Sequence, residues 1–86
     1  MIHFASESFW SAYEAFLLAV QKLADKQYEL LKEDPQYPSL HLKKVGRYWS
    51  VRVGIYYRAL AVDVDEGLLW FWIGSHADYD RLILKS

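Results

Sequence analysis

A chain of 86 residues has room for one compact core, so its length predicts a single domain spanning residues 1–86. With 53% hydrophobic and 17% aromatic residues it is too apolar for a disordered tail, and with no cysteine it offers neither a disulfide framework nor a thiolate metal site. A formal net charge of −1 argues against broad, sequence-independent attraction to nucleic acid, which needs many Lys and Arg side chains to release counterions from phosphates.

The first residues, Met1-Ile2-His3-Phe4-Ala5-Ser6-Glu7, lack the basic patch and apolar run of a secretion signal, and no apolar stretch approaches bilayer length. The expectation is a cytoplasmic protein without a membrane partner. Ser6 or Ser8 is positioned to cap a helix, with Glu7 near its positive end. From there Phe9, Tyr13, Phe16, Leu17, Val20, Leu23, Ala24, Tyr28 and Leu31 recur at a spacing of three and four, which makes one apolar stripe on a helix. Neither Pro nor Gly marks a break, yet a single rod over residues 9–33 would measure ~37 Å at 1.5 Å per residue, long for so small a domain. An antiparallel hairpin turning near Leu17 or Leu18 is therefore preferred over one helix.

Pro35 and Pro38 end the helical half, since each lacks an amide donor and forces its predecessor into extended geometry. Residues 40–45, 48–53, 56–64 and 68–73 are short runs rich in β-branched and aromatic side chains, separated by Gly46-Arg47, Gly54-Ile55 and Asp65-Glu66-Gly67. They read as an antiparallel meander. After Gly74-Ser75, residues 77–84 are expected to form a short terminal helix with Tyr79, Leu82 and Ile83 facing inward. The predicted fold class is α+β: an N-terminal helical hairpin packed on a small antiparallel β-sheet, with a short C-terminal helix.

Strand alternation puts Trp49, Val51 and Val53 on one face and Ser50 and Arg52 on the other. If the apolar set faces the helices, Arg52 points into the opposite concavity. Arg58, the only charge in its stretch of the next strand, requires an exposed cleft or an acid such as Asp63 or Asp78. His41 and Lys43 share a face of the first long strand, with Lys44 on the other face or in a bulge. His76 is the best acid/base candidate, because an imidazole gains or loses a proton near neutrality, and Asp78 is the acid expected to orient it. Tyr79 is placed to stack on a base or share a proton, or else to pack under the sheet. Trp10, Trp49, Trp70 and Trp72 are mostly expected in the core. An ordinary structural role is the alternative for each charged residue: ion-paired arginines, lysines that guard a sheet edge, and a surface or capping histidine. No metal-ligand spacing links His3, His41 and His76, and no glycine-rich phosphate loop is present.

The series Asp34-Pro35-Gln36-Tyr37-Pro38-Ser39-Leu40, then Lys43-Lys44-Val45-Gly46 and Tyr48-Trp49-Ser50-Val51-Arg52-Val53-Gly54, then Tyr57-Arg58-Ala59-Leu60, then Trp70-Phe71-Trp72-Ile73-Gly74-Ser75-His76 with Tyr79, resembles the RelE/ParE superfamily of bacterial toxins over essentially the whole chain. The resemblance implies the toxin component of a type II toxin–antitoxin system: a metal-independent mRNA interferase without cofactor, acting in the ribosomal A site by attack of a ribose 2′-hydroxyl on the adjacent phosphate. The implied partners are messenger RNA on the ribosome and a cognate antitoxin protein. Arg52 then resembles a strand lysine on the substrate backbone, and Arg58 the arginine that stabilises the phosphorane. His76 resembles the basic residue that protonates the leaving 5′-oxygen, and Tyr79 an aromatic that orients or activates the nucleophile. Lys43, Lys44 and Ser50 fall at substrate-contacting positions. The chain departs from the family's RNases in lacking their strongly basic charge and in carrying Ser50 where they have a further lysine. The alternatives are a ParE-like inhibitor of DNA gyrase and a catalytically inert, antitoxin-binding member.

Overall fold

The computed structural model describes residues 2–85. In chain order it contains β1 (Ile2–Ala5), α1 (Glu7–Glu14), α2 (Leu18–Glu33), a 3-10 turn (Pro38–Leu40), β2 (Lys43–Val45), β3 (Tyr48–Val53), β4 (Tyr57–Val64), β5 (Gly67–Ser75) and α3 (His76–Lys85). The predicted α+β architecture is present, and β2 to β5 form the antiparallel meander. The sheet order is β1-β5-β4-β3-β2, and β1 adds a fifth, parallel strand on the edge of β5.

The helical hairpin forms without glycine or proline. Ser6 Oγ accepts from the Phe9 amide to cap α1, while Ser8 Oγ donates to the Phe71 carbonyl and so ties the helix to β5. At the other end the Ala15 and Phe16 amides close tight turns onto Ala12 and Tyr13, and Leu17 takes an extended conformation that redirects the chain. The Gln21 side-chain amide donates to the Phe16 carbonyl at 3.0 Å, and Tyr13 Oη donates to Asp25 at 2.7 Å across the two helices. The buried stripe is narrower than its spacing suggested. Val20, Ala24 and Leu31 are buried, whereas Leu17, Leu23 and Tyr28 are exposed.

The helices pack on the face of the sheet carrying Val51, Val53, Ala59, Ala61, Trp70 and Ile73. Leu40 plugs the same core with 0% exposure, a burial that contributes about 1.5–3 kcal/mol for a leucine. The 3-10 turn that delivers Leu40 replaces the start of the predicted strand, and His41 follows it at φ 48, in the left-handed region. His41 therefore shares no strand face with Lys43. Only Trp70 of the four tryptophans is fully buried; Trp49 and Trp72 are half-buried, and Trp10 is 48% exposed at the surface of α1.

β1 was not foreseen because four residues directly before a helix cap carry no turn signal, and their partner lies at the far end of the chain. Two local features hold it. Gly67 leaves room for the close approach: a Cβ there would sit 1.9 Å from the Ile2 carbonyl oxygen. His3 Nδ1 accepts from the Trp70 indole N–H at 3.1 Å, with the two rings stacked.

Burial, and then nearby positive charge that includes Lys32, lower the His3 pKa from its ordinary 6.5. A lowered folded-state pKa means that the unfolded chain binds more protons on acidification. The neutral His3 contributes fully above about 6.5, and its contribution is lost as pH falls from there through the lower folded pKa. Thermal denaturation at pH 7.5 and pH 5.5 should accordingly show a larger fall in midpoint for the natural chain than for His3→Phe. Equal falls would show that His3 protonation is not coupled to folding.

Candidate functional site

The face of the sheet turned away from α1 and α2 carries Ser50, Arg52, Arg58, Leu60, Trp72 and Gly74 by strand alternation. The register pairs Arg52 directly with Arg58, and Arg58 in turn with Gly74. The two arginines expected on one face are thus immediate cross-strand neighbours, with the side-chain-free Gly74 beside them. A Cβ at Gly74 would lie 2.3 Å from the Trp72 ring, so the glycine lets that indole lie flat against the sheet beside the arginine row.

α3 begins where β5 ends and returns over this face. The His76 amide donates to the Tyr56 carbonyl at 2.7 Å, and Ser75 Oγ accepts from the Asp78 amide at 3.1 Å to cap the helix. The helix starts one residue earlier than expected and runs for ten residues. Tyr79 is buried, with its ring 6.0 Å from the Arg58 guanidinium and 6.1 Å from the His76 imidazole. Leu82, expected inward, is 41% exposed. Arg58, His76 and Tyr79 are therefore brought together, and Arg52 adjoins them through the register. The face is less open than alternation alone implied, because α3 and the Trp72 indole cover part of it.

The charges of the arginine pair are poorly compensated. Among the described residues neither Arg52 nor Arg58 forms a salt bridge, and the acids suggested for Arg58 are engaged elsewhere: Asp63 with Lys44 and the Trp49 indole, Asp78 with Arg81. Arg58 Nη1 donates to the Tyr57 carbonyl at 2.9 Å. Arg52 Nε is buried and has no hydrogen-bond partner. Burial first, and the Arg52 charge second, lower the Arg58 pKa from its ordinary value, while Tyr79 and Asp80 oppose the shift. Arginine stays protonated even so. The result is two guanidinium groups with unused donors and, among the described residues, no carboxylate in salt-bridge contact, which suits an oxyanion able to accept from both.

The other predicted positions divide. Lys43 is exposed and pairs with Ser50 in the row next to the arginines. Lys44 lies on the opposite face, where its ammonium pairs with Asp63 and sits 5.1 Å from the Trp49 ring. Ser50 is 1% exposed, so its hydroxyl is not presented at the surface. The carboxylate beside His76 is Asp80, not the Asp78 expected: His76 Nδ1 lies 3.1 Å from Asp80 Oδ2. The four-residue spacing was visible in the sequence, but its meaning depended on knowing that His76 opens the helix. Among the described residues no group of three or more His, Asp or Glu side chains is arranged to hold a metal ion, and no helix is long and apolar enough to cross a membrane.

A family model described as the ParE-like toxin domain matches residues 18–81, more than half of the chain. The chain belongs to this family. It is a toxin of the RelE/ParE superfamily, of the kind found in toxin–antitoxin systems. The fold is shared with solved structures of low identity. The RelE of a RelB–RelE antitoxin–toxin complex from Methanococcus jannaschii is similar at 16% identity and a TM-score of 0.70, covering 91% of this chain and 96% of that one. The isolated RelE toxin of E. coli is similar at 13% identity and a TM-score of 0.63, over 98% of this chain and 96% of that one. A copper-bound mutant toxin from Helicobacter pylori is similar at 18% identity and a TM-score of 0.60, over 88% and 94%. No curated protein sequence matches the chain. In this toxin the arginine row occupies the sheet face beneath α3.

An oxyanion that joins both arginines binds the folded state alone and so raises its stability. Sulfate or phosphate should increase the thermal midpoint more than chloride at equal ionic strength, and Arg58→Ala should reduce the difference to the general stabilisation that these ions give by exclusion from the protein surface. An identical response of the variant would show that the anion binds elsewhere.

Proposed function

We propose that this toxin is a ribosome-dependent messenger-RNA endonuclease that acts in the cytoplasm as a single domain over residues 1–86 and is restrained by a cognate antitoxin. The observation that carries the reading is the Arg52–Arg58 pair, in salt bridge with no carboxylate among the described residues and adjoined by His76 and Tyr79. When a 2′-hydroxyl attacks the adjacent phosphate, additional negative charge develops on the phosphoryl oxygens. Two guanidinium groups already held on one face stabilise that charge without reorganising. Arg52, whose buried Nε lacks a partner, receives the substrate backbone. Arg58 meets the phosphorane, and His76, exposed at the start of α3, delivers a proton to the leaving 5′-oxygen. The phenol of Tyr79 packs between the two and orients the nucleophile. Lys43 extends the cationic surface along the same face, while Lys44 and Ser50 take no part in this mechanism. With a net charge of only −1, long-range attraction to RNA is weak, and the ribosome supplies the substrate's placement.

An antitoxin partner is supported by the family, and by the Methanococcus jannaschii relative having been solved together with its antitoxin. A second reading, inhibition of DNA gyrase through protein contacts, is favoured by the ParE-like description of the matching family model and by the lack of positive charge. The two separate on expression in bacteria, with messenger-RNA 5′ ends mapped during active and arrested translation. The first reading expects translation-dependent cleavage, reduced on the order of 10²–10⁴-fold by His76→Ala and to background by Arg58→Ala. Growth arrest with intact messages would move the assignment to gyrase, and absence of arrest to an inert antitoxin-binding protein.

A further inference from the structure

His76 is held on three sides. Its amide is bonded to the Tyr56 carbonyl, the Ser75 cap fixes the helix turn it opens, and the edge of Tyr79 closes one flank of its ring. The remaining freedom is rotation of the imidazole, and Asp80 faces that group. One helical turn on, at position i+4, Asp80 places Oδ2 3.1 Å from Nδ1. The nearby alternative, Asp78, is drawn to Arg81 on the same helix.

We propose that Asp80 is a positioning residue for His76: its carboxylate accepts the Nδ1–H, which leaves Nε2 as the atom that exchanges a proton with substrate. This rests on the reading of His76 as the acid of RNA cleavage. In the step itself the 2′-oxygen bonds to phosphorus and loses its proton to solvent water. The bond from phosphorus to the 5′-oxygen breaks with its electron pair on that oxygen, which takes the Nε2 proton. The products are a 2′,3′-cyclic phosphate and a 5′-hydroxyl, and His76 is left as the neutral Nδ1–H tautomer already bonded to Asp80. Solvent returns the proton to Nε2 for the next turnover.

A free neutral imidazole prefers the Nε2–H tautomer, so the arrangement has a signature independent of cleavage. The histidine and aspartate side chains are both about half exposed, and an exposed pair contributes little to folding. Loss of the carboxylate should thus spare the structure.

The test combines ¹⁵N spectra of the His76 ring above neutral pH with cleavage on translating ribosomes, for the natural chain, Asp80→Asn and Asp80→Ala. The natural chain and Asp80→Asn, whose amide oxygen still accepts, should show the Nδ1–H tautomer. Asp80→Ala should revert to Nε2–H and lose on the order of 10- to 100-fold in kcat with KM unchanged, and Asp80→Asn should recover most of that loss. An Nε2–H tautomer in the natural chain, or an Asp80→Ala variant with unaltered tautomer and rate, would overturn the inference. If His76→Ala abolishes cleavage while Asp80→Ala does not, the inference alone fails. If His76→Ala cleaves normally, the reading beneath it fails as well.

Discussion

Two positive charges are held face to face because a hydrophobic register leaves them no other place. The pairing of β3 with β4 is set by Val51 against Ala59 and by Trp49 against Ala61 on the helix side. A slip of one residue would turn every one of those side chains away from α1 and α2. Arg52 and Arg58 are consequently fixed opposite each other. Like charges directly opposed on a sheet cost about 0.2–1 kcal/mol. The buried aliphatic and aromatic groups on the other face each contribute more than that, so packing wins and the repulsion is retained where an anion can relieve it.

The remainder of the molecule supports this pair from both sides. Leu40 and the hairpin of α1 and α2 close the core beneath it, while β1, joined through His3 to the Trp70 indole, completes the sheet edge. Above it, the missing side chain at Gly74 gives space to Trp72, and α3 brings Tyr79 and His76 alongside Arg58. The same carboxylate, Asp80, touches His76 and exerts a favourable field on Arg58. His76 and Arg58 are therefore coupled through one short helix.

Much of this was legible in residue order. Period-two alternation placed Arg52 opposite the core face, and the bulk of nine aromatic and apolar positions at helical spacing announced the N-terminal helices. Where the reading stopped, a nonlocal contact was the cause. β1 depends on a partner more than sixty positions away in the chain. The left-handed His41 depends on Leu40 reaching the core. Asp63 was a candidate partner for Arg58 until the sheet brought Lys44 and Trp49 to it. Asp80 rather than Asp78 faces His76 because Ser75, a residue with no strong signal of its own, fixes where the last helix begins.

The most direct test of an anion site built from the arginine pair is a titration of the chain with a dinucleotide ending in a 2′,3′-cyclic phosphate, followed through the guanidinium ¹⁵N–¹H signals. The Arg52 and Arg58 Nε signals should move together along one saturable curve, with the His76 ring responding at the same midpoint. Independent curves for the two arginines, or no response from either, would contradict a shared phosphate site on this face of the sheet.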